Sequence, residues 1–395
     1  MFDRHLHACL IERARKNPVV TVLGPRQSGK TTLVRHAFPG HRYVSLEHPP
    51  TRRRAQEDPQ SLLTGATGVI LDEVQRVPEL LSYVQGIVDE VDRPGQFVLT
   101  GSQNLLLMEK VSQTLAGRTA LLTLLPLSLS ERWSWASSPA GAPGTTVAGR
   151  AEPCPLWTAL WRGGYPRIHA HELSPYEWLA DYVRTYVERD VRDVLRVMDL
   201  DAFEHFLRLV AARTAQELNL SDLAVDAGIS QPTARAWLTA LMVGSIVLLL
   251  PAHHQNFRKR LRKRPKLHLV DPGLAAYLLG IETPAMLERH PLRGALFETF
   301  VVSELAKAFT NAGRAPPLYH WRDATGHEVD VLVDLGERLV PVETKSAATL
   351  PSDATRGLDF WSGLAGNANR NGIVVYGGTE PYTLHGHAIV PWFGL

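Results

Sequence analysis

Residues Gly24-Pro25-Arg26-Gln27-Ser28-Gly29-Lys30-Thr31-Thr32 follow the apolar run Val19–Leu23 and open a stretch with helical periodicity. No other feature constrains the fold of this chain as strongly. The spacing is G-x-x-x-x-G-K-[ST], in which two glycines let the backbone wrap closely around an anion. The loop N–H groups and the helix N-terminus then point at that anion. A strand, loop and helix in this order predict a parallel α/β sheet with a nucleoside triphosphate held by residues 24–32. Lys30 is placed for the β- and γ-phosphates, and Thr31 for Mg²⁺ through its hydroxyl.

A metal partner is expected at the end of another buried strand. Val69–Leu71 followed by Asp72 and Glu73 supplies one, 42 residues beyond Lys30. Asp72 is the candidate for holding Mg²⁺ through water, and Glu73 for polarising the attacking water. Two adjacent carboxylates in these roles point to hydrolysis of ATP rather than binding alone. A third apolar run, Phe97–Leu99, leads into Thr100 and Ser102, which stand where a γ-phosphate is sensed. An ordinary strand-to-loop turn explains those two hydroxyls equally well. Arg118, before the apolar run that follows it, is either an arginine finger or a solvated loop arginine. The finger reading implies a homo-oligomer.

Composition narrows the rest. The chain has 395 residues, 42 Lys and Arg, and 40 Asp and Glu, a formal net charge of +2. Its length suits two or three domains. Bulk charge therefore argues for no polyanion partner, and any nucleic-acid case rests on local clusters. Cys9 and Cys154 cannot build a disulfide framework or a cysteine zinc site by themselves. No apolar leader or membrane-length run is visible, so a cytoplasmic protein is expected. Of the basic residues only eight are lysines. Lys30 and Lys345 fall where a compact ammonium is chemically required and arginine is no substitute.

The segment Ala136–Pro155 is rich in Ala, Gly, Pro, Ser and Thr and reads as a linker. Three units are expected, at 1–150, 151–290 and 291–395. The combined stretches around Gly24–Thr32, Val69–Glu73, Phe97–Gln103 and Leu115–Glu131 resemble a family of prokaryotic AAA-type ATPases. Trp161–Pro166, Asp181–Asp190 and Pro265–Asp271 also match it, so the likeness covers nearly the whole chain. The resemblance implies an α/β fold: a P-loop AAA-type ATPase core with a parallel sheet, then a winged-helix module and a restriction-nuclease-like domain.

Within 151–290, Ser221–Leu241 is punctuated as helix–turn–helix, with Ser221 and Ser230 as N-caps, Gly228 in the turn and Pro232 in the first turn of the second helix. Gln231, Thr233 and Arg235 then face outward where a recognition helix meets base edges. From Arg258 to Lys266, seven of nine residues are basic: Arg258, Lys259, Arg260, Arg262, Lys263, Arg264 and Lys266. The run reads as a phosphate-binding wing on DNA. Packing between domains, with the run merely solvated, is the competing reading.

Near the C-terminus, His327–Asp334 and Arg338–Lys345 alternate as two strands around Gly336-Glu337. A two-residue turn with Gly first places Asp330 directly opposite Glu343, with Lys345 on the same face. Like charges opposite one another repel unless something positive lies between them. Two carboxylates and an ammonium on one face suit a divalent cation, Mg²⁺ or Mn²⁺, with Lys345 stabilising a phosphate or activating water. The residues match the PD-(D/E)xK nuclease-type pattern, and that resemblance adds Glu298 as the acidic residue on the preceding helix. The same fold also occurs in proteins that do not cut, and Pro341 sits inside the second strand. Two readings remain: an Mg²⁺-dependent ATPase acting on DNA with a nuclease-like C-terminal domain, or an ATP-dependent switch or scaffold whose C-terminal domains bind protein partners.

Overall fold

The structure is a computed structural model that describes residues 2–102, 111, 113–133, 154–186, 199–253, 264–323, 325–364 and 372–395. Most of the expected linker lies outside these residues, as do Arg258, Lys259, Arg260, Arg262 and Lys263 of the basic run.

Five strands, β1 (Val19–Gly24), β2 (Arg42–Ser45), β3 (Val69–Asp72), β4 (Phe97–Ser102) and β5 (Thr119–Thr123), form a parallel sheet in the order β2-β3-β4-β1-β5. Side chains alternate between its faces. Val19 and Leu23 join Phe97 and Leu99 on one face, while Val20 and Val22 pack with Leu6, Leu10, Leu33 and Val34 on the other. Both faces are covered, which is why the strands read as unbroken apolar runs. The register pairs Gly24 with Ser102 and Leu71 with Leu99, so the strand ends at Gly24, Asp72 and Thr100 gather along one edge. That carboxyl edge is where α/β sheets hold ligands.

Helices Leu156–Arg162, Pro166–Ala170, Pro175–Tyr186 and Leu200–Ala212 lead to the helix pair Leu220–Asp226 and Gln231–Val243. Gly228 turns the chain between the pair at φ +65°, a conformation that favours glycine. Ser230 caps the second helix by accepting the Thr233 N–H (3.2 Å), and Ala234, Trp237, Leu238 and Leu241 form its buried face. Ser221 is not the first cap: Asn219 holds that position, and Ser221 lies inside the helix. A small antiparallel sheet flanks the pair, with β6 (Gln216–Glu217) before it and β7 (Val247–Leu250) and β8 (Lys266–Leu269) after it, β8 lying between the other two.

The remaining chain is the helix Arg293–Asn311, then β9 (Leu318–Arg322), β10 (Glu328–Asp334) and β11 (Leu339–Lys345), the helix Arg356–Gly363, and β12 (Ile373–Tyr376), β13 (Tyr382–Leu384) and β14 (His387–Pro391). The sheet order is β13-β14-β12-β11-β10-β9, antiparallel from β9 to β11 and parallel from β11 through β12 to β14. Gly336 adopts φ +82° and the Leu335 N–H donates to the Arg338 carbonyl (3.0 Å), closing a two-residue turn. The ladder runs Val331↔Val342, Leu332↔Pro341, Val333↔Val340, in the register counted from the turn. Pairing with β12 begins only at Val342, so the proline nitrogen lies outside that ladder and removes no strand hydrogen bond.

One apolar cluster extends from Leu129 through the helix pair to Phe393 and includes Phe297, Phe300 and Val301 of the long helix. The boundary expected near 290 therefore divides kinds of element but not hydrophobic cores. Among the described residues no helix is long and apolar enough to cross a membrane.

Candidate nucleotide site and acidic cluster

The loop between β1 and the helix Lys30–Ala37 is shaped by backbone that few residues adopt. Gln27 stands at φ +62° and Gly29 at φ +93°, the left-handed backbone from which anion-binding loops are commonly built. Gly24 has a second reason to be glycine. A Cβ there would meet the Leu124 carbonyl oxygen at 2.2 Å, because the chain continues beyond Thr123 of β5 directly alongside Gly24, with the Leu124 N–H donating to the Leu23 carbonyl (2.7 Å). Lys30 is buried and donates to the Gly24 and Pro25 carbonyls (2.9 and 2.8 Å), so its ammonium already lies along the loop. Ser28 is buried beneath, while Gln27 and Thr32 are exposed and Arg26 is half-buried.

Asp72 is the centre of this edge. Its carboxylate accepts from the Thr31 hydroxyl (3.0 and 3.1 Å), from the Tyr43 phenol (2.6 Å) and from Thr100. Burial and the neighbouring Asp72 push the Tyr43 phenol up to about 12, so it stays a donor at neutral pH. Thr31 and Asp72 thus lie within one hydrogen bond of each other, a hydroxyl and a carboxylate placed together beside the phosphate loop. That donor set fits Mg²⁺ held partly through water. Glu73 follows at φ +61°, a rare conformation for a side chain of its kind, and accepts from the Gln75 amide (2.5 Å). Ser102 ends β4 opposite Gly24.

Two residues not expected at the site, Arg4 and Glu131, complete the loop's support, Glu131 also closing a capping box with Ser128. Arg4 is buried and donates to the Ser28 carbonyl (2.6 Å), the Leu125 carbonyl (2.7 Å) and Glu131 (3.0 Å). Glu131 is held below the usual carboxylate range: burial pushes it up, but Arg4 and the Ser128 and His5 N–H groups outweigh that. Arg118 lies elsewhere. It precedes β5, beside Val19 at the start of β1, five residues and roughly 17 Å of strand from the loop. There it pairs with Asp89 (2.5 Å). It is too far to touch the nucleotide of its own chain, so a finger role requires a second copy.

The second cluster is built where the long helix meets β10 and β11. Glu298 from the helix, Glu328 and Asp330 from β10, and Glu343 and Lys345 from β11 converge, with Lys345 donating to Glu343 (2.6 Å). Asp330 accepts from the Thr344 N–H and hydroxyl (2.9 and 2.8 Å). Burial, then Asp330, raise Glu343 to about 8 despite Lys345, and its Oε2 has no hydrogen-bond partner. Burial and Asp330 likewise hold Glu298 well above the usual range.

Lys266 corrects the expectation of a surface phosphate contact. It is 4% exposed, and its ammonium bonds Glu298 (2.9 Å) and Glu328 and approaches Asp330 (3.8 Å). Burial pulls that ammonium down, but Glu298, Asp330 and Glu328 more than reverse the effect and hold it above the lysine range. All four residues of β8 are buried, and Lys266 shares one of its faces with His268. Among the described residues no three or more carboxylate, imidazole or thiol groups are arranged to hold a metal ion. The acidic residues at this cluster therefore do not fit a divalent ion in this conformation, because Lys266 lies among them.

Gln231 and Arg235 are exposed and Thr233 is half-exposed at the start of the second helix, and Gln231 donates to Ser221 (3.0 Å). Arg264, last of the described basic run before Pro265, is exposed.

Residues 16–133 match the family model described as AAA domain; 155–285 and 293–393 match two domains of unknown function, DUF8612 and DUF4143. The uncharacterized proteins Mb2031c of Mycobacterium bovis and Rv2008c of Mycobacterium tuberculosis are each 33% identical over 356 residues, 88% of this chain and 75% of theirs. Among solved structures, a Walker-type ATPase of Pyrococcus abyssi overlaps 70% of this chain and 96% of its own at 16% identity, with a TM-score of 0.43. RuvB of Thermotoga maritima overlaps 65% and 92% at 17% identity, with a TM-score of 0.29. Overlaps this loose carry no argument about activity. The chain belongs to the same family as the two mycobacterial proteins, and its residues 16–133 form an AAA-type P-loop ATPase core.

Proposed function

We propose that this chain is an Mg²⁺-dependent ATPase that acts on DNA. The observation that carries the reading is the meeting of Thr31, Asp72 and Thr100 beside the phosphate loop, with Glu73 next in the chain. Thr31 and Asp72 are the residues that would hold Mg²⁺, and the ion would supply charge neutralisation at the phosphates. Lys30 and the loop N–H groups fix the β- and γ-phosphates, Thr100 senses the γ-phosphate through its contact with Asp72, and Glu73 orients the attacking water. Arg118 of an adjacent copy completes the site in a homo-oligomer.

DNA enters this reading through the middle unit. A helix pair followed by a small antiparallel sheet has winged-helix form, with Gln231, Thr233 and Arg235 at the exposed start of the second helix. The basic residues Arg258 to Arg264 join β7 to β8, where a wing would carry phosphate contacts. The C-terminal unit is read as nuclease-like, because a helix, three antiparallel strands, a helix and a parallel strand bring Glu298, Asp330, Glu343 and Lys345 together. The second reading, an ATP-driven switch or scaffold without cleavage, is favoured by one observation: Lys266 lies among the acidic residues that cleavage would need.

Two variants test the hydrolytic assignment. Glu73→Gln is expected to keep ATP binding and lower turnover by ~100-fold or more, the effect of losing water activation. Lys30→Ala should weaken ATP binding itself. Unchanged turnover in the Glu73 variant removes Glu73 from the mechanism.

A further inference from the structure

Arg4, far from the phosphate loop in sequence, reaches it with a buried side chain. It is 7% exposed, and its planar fork serves three acceptors. Nη1 donates to the Ser28 carbonyl (2.6 Å), Nη2 to the Leu125 carbonyl (2.7 Å) and Nε to Glu131 (3.0 Å). A Cβ on Gly29 would stand 3.6 Å from the same Nη1, so the guanidinium lies against the Ser28–Gly29 peptide itself. The Ser28 side chain gives no second anchor, because its hydroxyl is fully buried and makes no hydrogen bond. In a trans peptide the carbonyl and the following N–H point in opposite directions. With the Ser28 carbonyl turned to Arg4, the Gly29 N–H is turned away from it. Gly29 caps the helix Lys30–Ala37, and the first N–H groups of a helix have no partner within it. Net charge is not what Arg4 brings to the loop, since Glu131 is buried beside it, stays ionised and offsets it.

We infer that Arg4 is a positioning residue for the nucleotide: by holding the Ser28 carbonyl it aims the Gly29 N–H at the β-phosphate of ATP or ADP. The inference rests on reading residues 24–32 as the phosphate loop. Arginine is required for this task, because an ammonium has no planar fork that spans two carbonyls and a carboxylate. Without Arg4 the Ser28–Gly29 peptide is free to turn its carbonyl toward the phosphates, where oxygen would face oxygen.

The test is binding of a fluorescent ADP to the full chain in EDTA, well below each variant's thermal midpoint. Metal is left out so that contacts of the loop alone are read. Arg4→Ala risks misfolding, since it leaves Glu131 buried without its cation. Arg4→Met with Glu131→Gln removes cation and anion together. That double variant should bind ADP at least ~10-fold more weakly than wild type, the scale of one hydrogen bond to a charged group. Arg4→Lys keeps the charge beside Glu131 without the fork and should also lose ~10-fold. Glu131→Gln leaves both carbonyl contacts of Arg4 in place and should lose less than ~3-fold. Full affinity in Arg4→Lys, or in the folded double variant, overturns the positioning role. Equal losses in Glu131→Gln and the double variant also overturn it, assigning the effect to the ion pair and the fold. Absence of ADP binding in wild type overturns the phosphate-loop reading itself.

Discussion

Lysine placement shows how single residues divide their work in this chain. Five lysines are described, and Lys30, Lys266 and Lys307 are buried while Lys345 is largely covered; only Lys16 is on the surface. Arginine carries most of the remaining positive charge. A compact ammonium with three rotatable donors suits a tight cage of oxygens, whereas a planar guanidinium does not. This preference was legible for Lys30 and Lys345, which stand in motifs. It was missed for Lys266, which ends a basic run and so looked like its neighbours, and for Lys307, which has no motif at all. Glu328 was also missed, although it shares a strand face with Asp330 by simple alternation. Glu343 gives a pH test with a definite sign. Its folded-state value is raised from 4.5 to about 8, chiefly by burial, so its contribution is fully present below 4.5 and lost as pH rises through about 8. In metal-free buffer the Glu343 contribution should therefore lower the thermal midpoint of wild type between about pH 4.5 and 8 and level off above that, and Glu343→Gln should flatten that fall. Parallel profiles for the two proteins would show that Glu343 does not hold its proton in the fold.

Elements whose pattern is local were readable, and elements fixed by a distant approach were not. The β10–β11 hairpin follows from alternation and a Gly-first turn, and β1, β3 and β4 follow from apolar runs. The close approach of Leu124 to Gly24 has no such signal, because it depends on the strand order β4-β1-β5. Two glycines separate these cases. At Gly336 a Cβ meets nothing within 4 Å, and only the φ of +82° resists substitution. Gly336→Ala should cost roughly 1 kcal/mol in chemical denaturation and leave ATP binding unchanged. At Gly24 a Cβ would press on the Leu124 backbone, which cannot rotate away. Gly24→Ala should abolish ATP binding measured by a fluorescent nucleotide. Normal affinity in that variant would mean the loop and the β5 exit are not locked together.

Across the whole molecule the nucleotide loop is tied to the C-terminal unit by buried polar contacts. Arg4 links the Ser28 carbonyl to Glu131 and the Leu125 carbonyl. A few residues on, Glu304 of the long helix accepts from the Leu129 N–H (2.7 Å), and Lys307 donates to the Leu127 carbonyl (3.1 Å). The same helix carries Glu298 into the acidic cluster. Gly164 joins the middle unit to this path, its carbonyl accepting from Leu127 (2.7 Å) and its N–H donating to Asp271 (2.7 Å). Arg4→Ala leaves Glu131 buried without its cation and should destabilise the chain by about 3–5 kcal/mol in chemical denaturation. A loss below about 1 kcal/mol would show the pair to be solvated in solution. ATP turnover in the P-loop core is proposed to serve an action on DNA. It is tested most directly by the steady-state ATPase rate, with and without duplex or single-stranded DNA, across a salt series. DNA should raise the rate, and the rise should fade with salt as phosphate contacts weaken. Neutralising Arg258, Lys259 and Arg260 should remove most of the stimulation. An ATPase rate indifferent to every DNA form at low salt would contradict it.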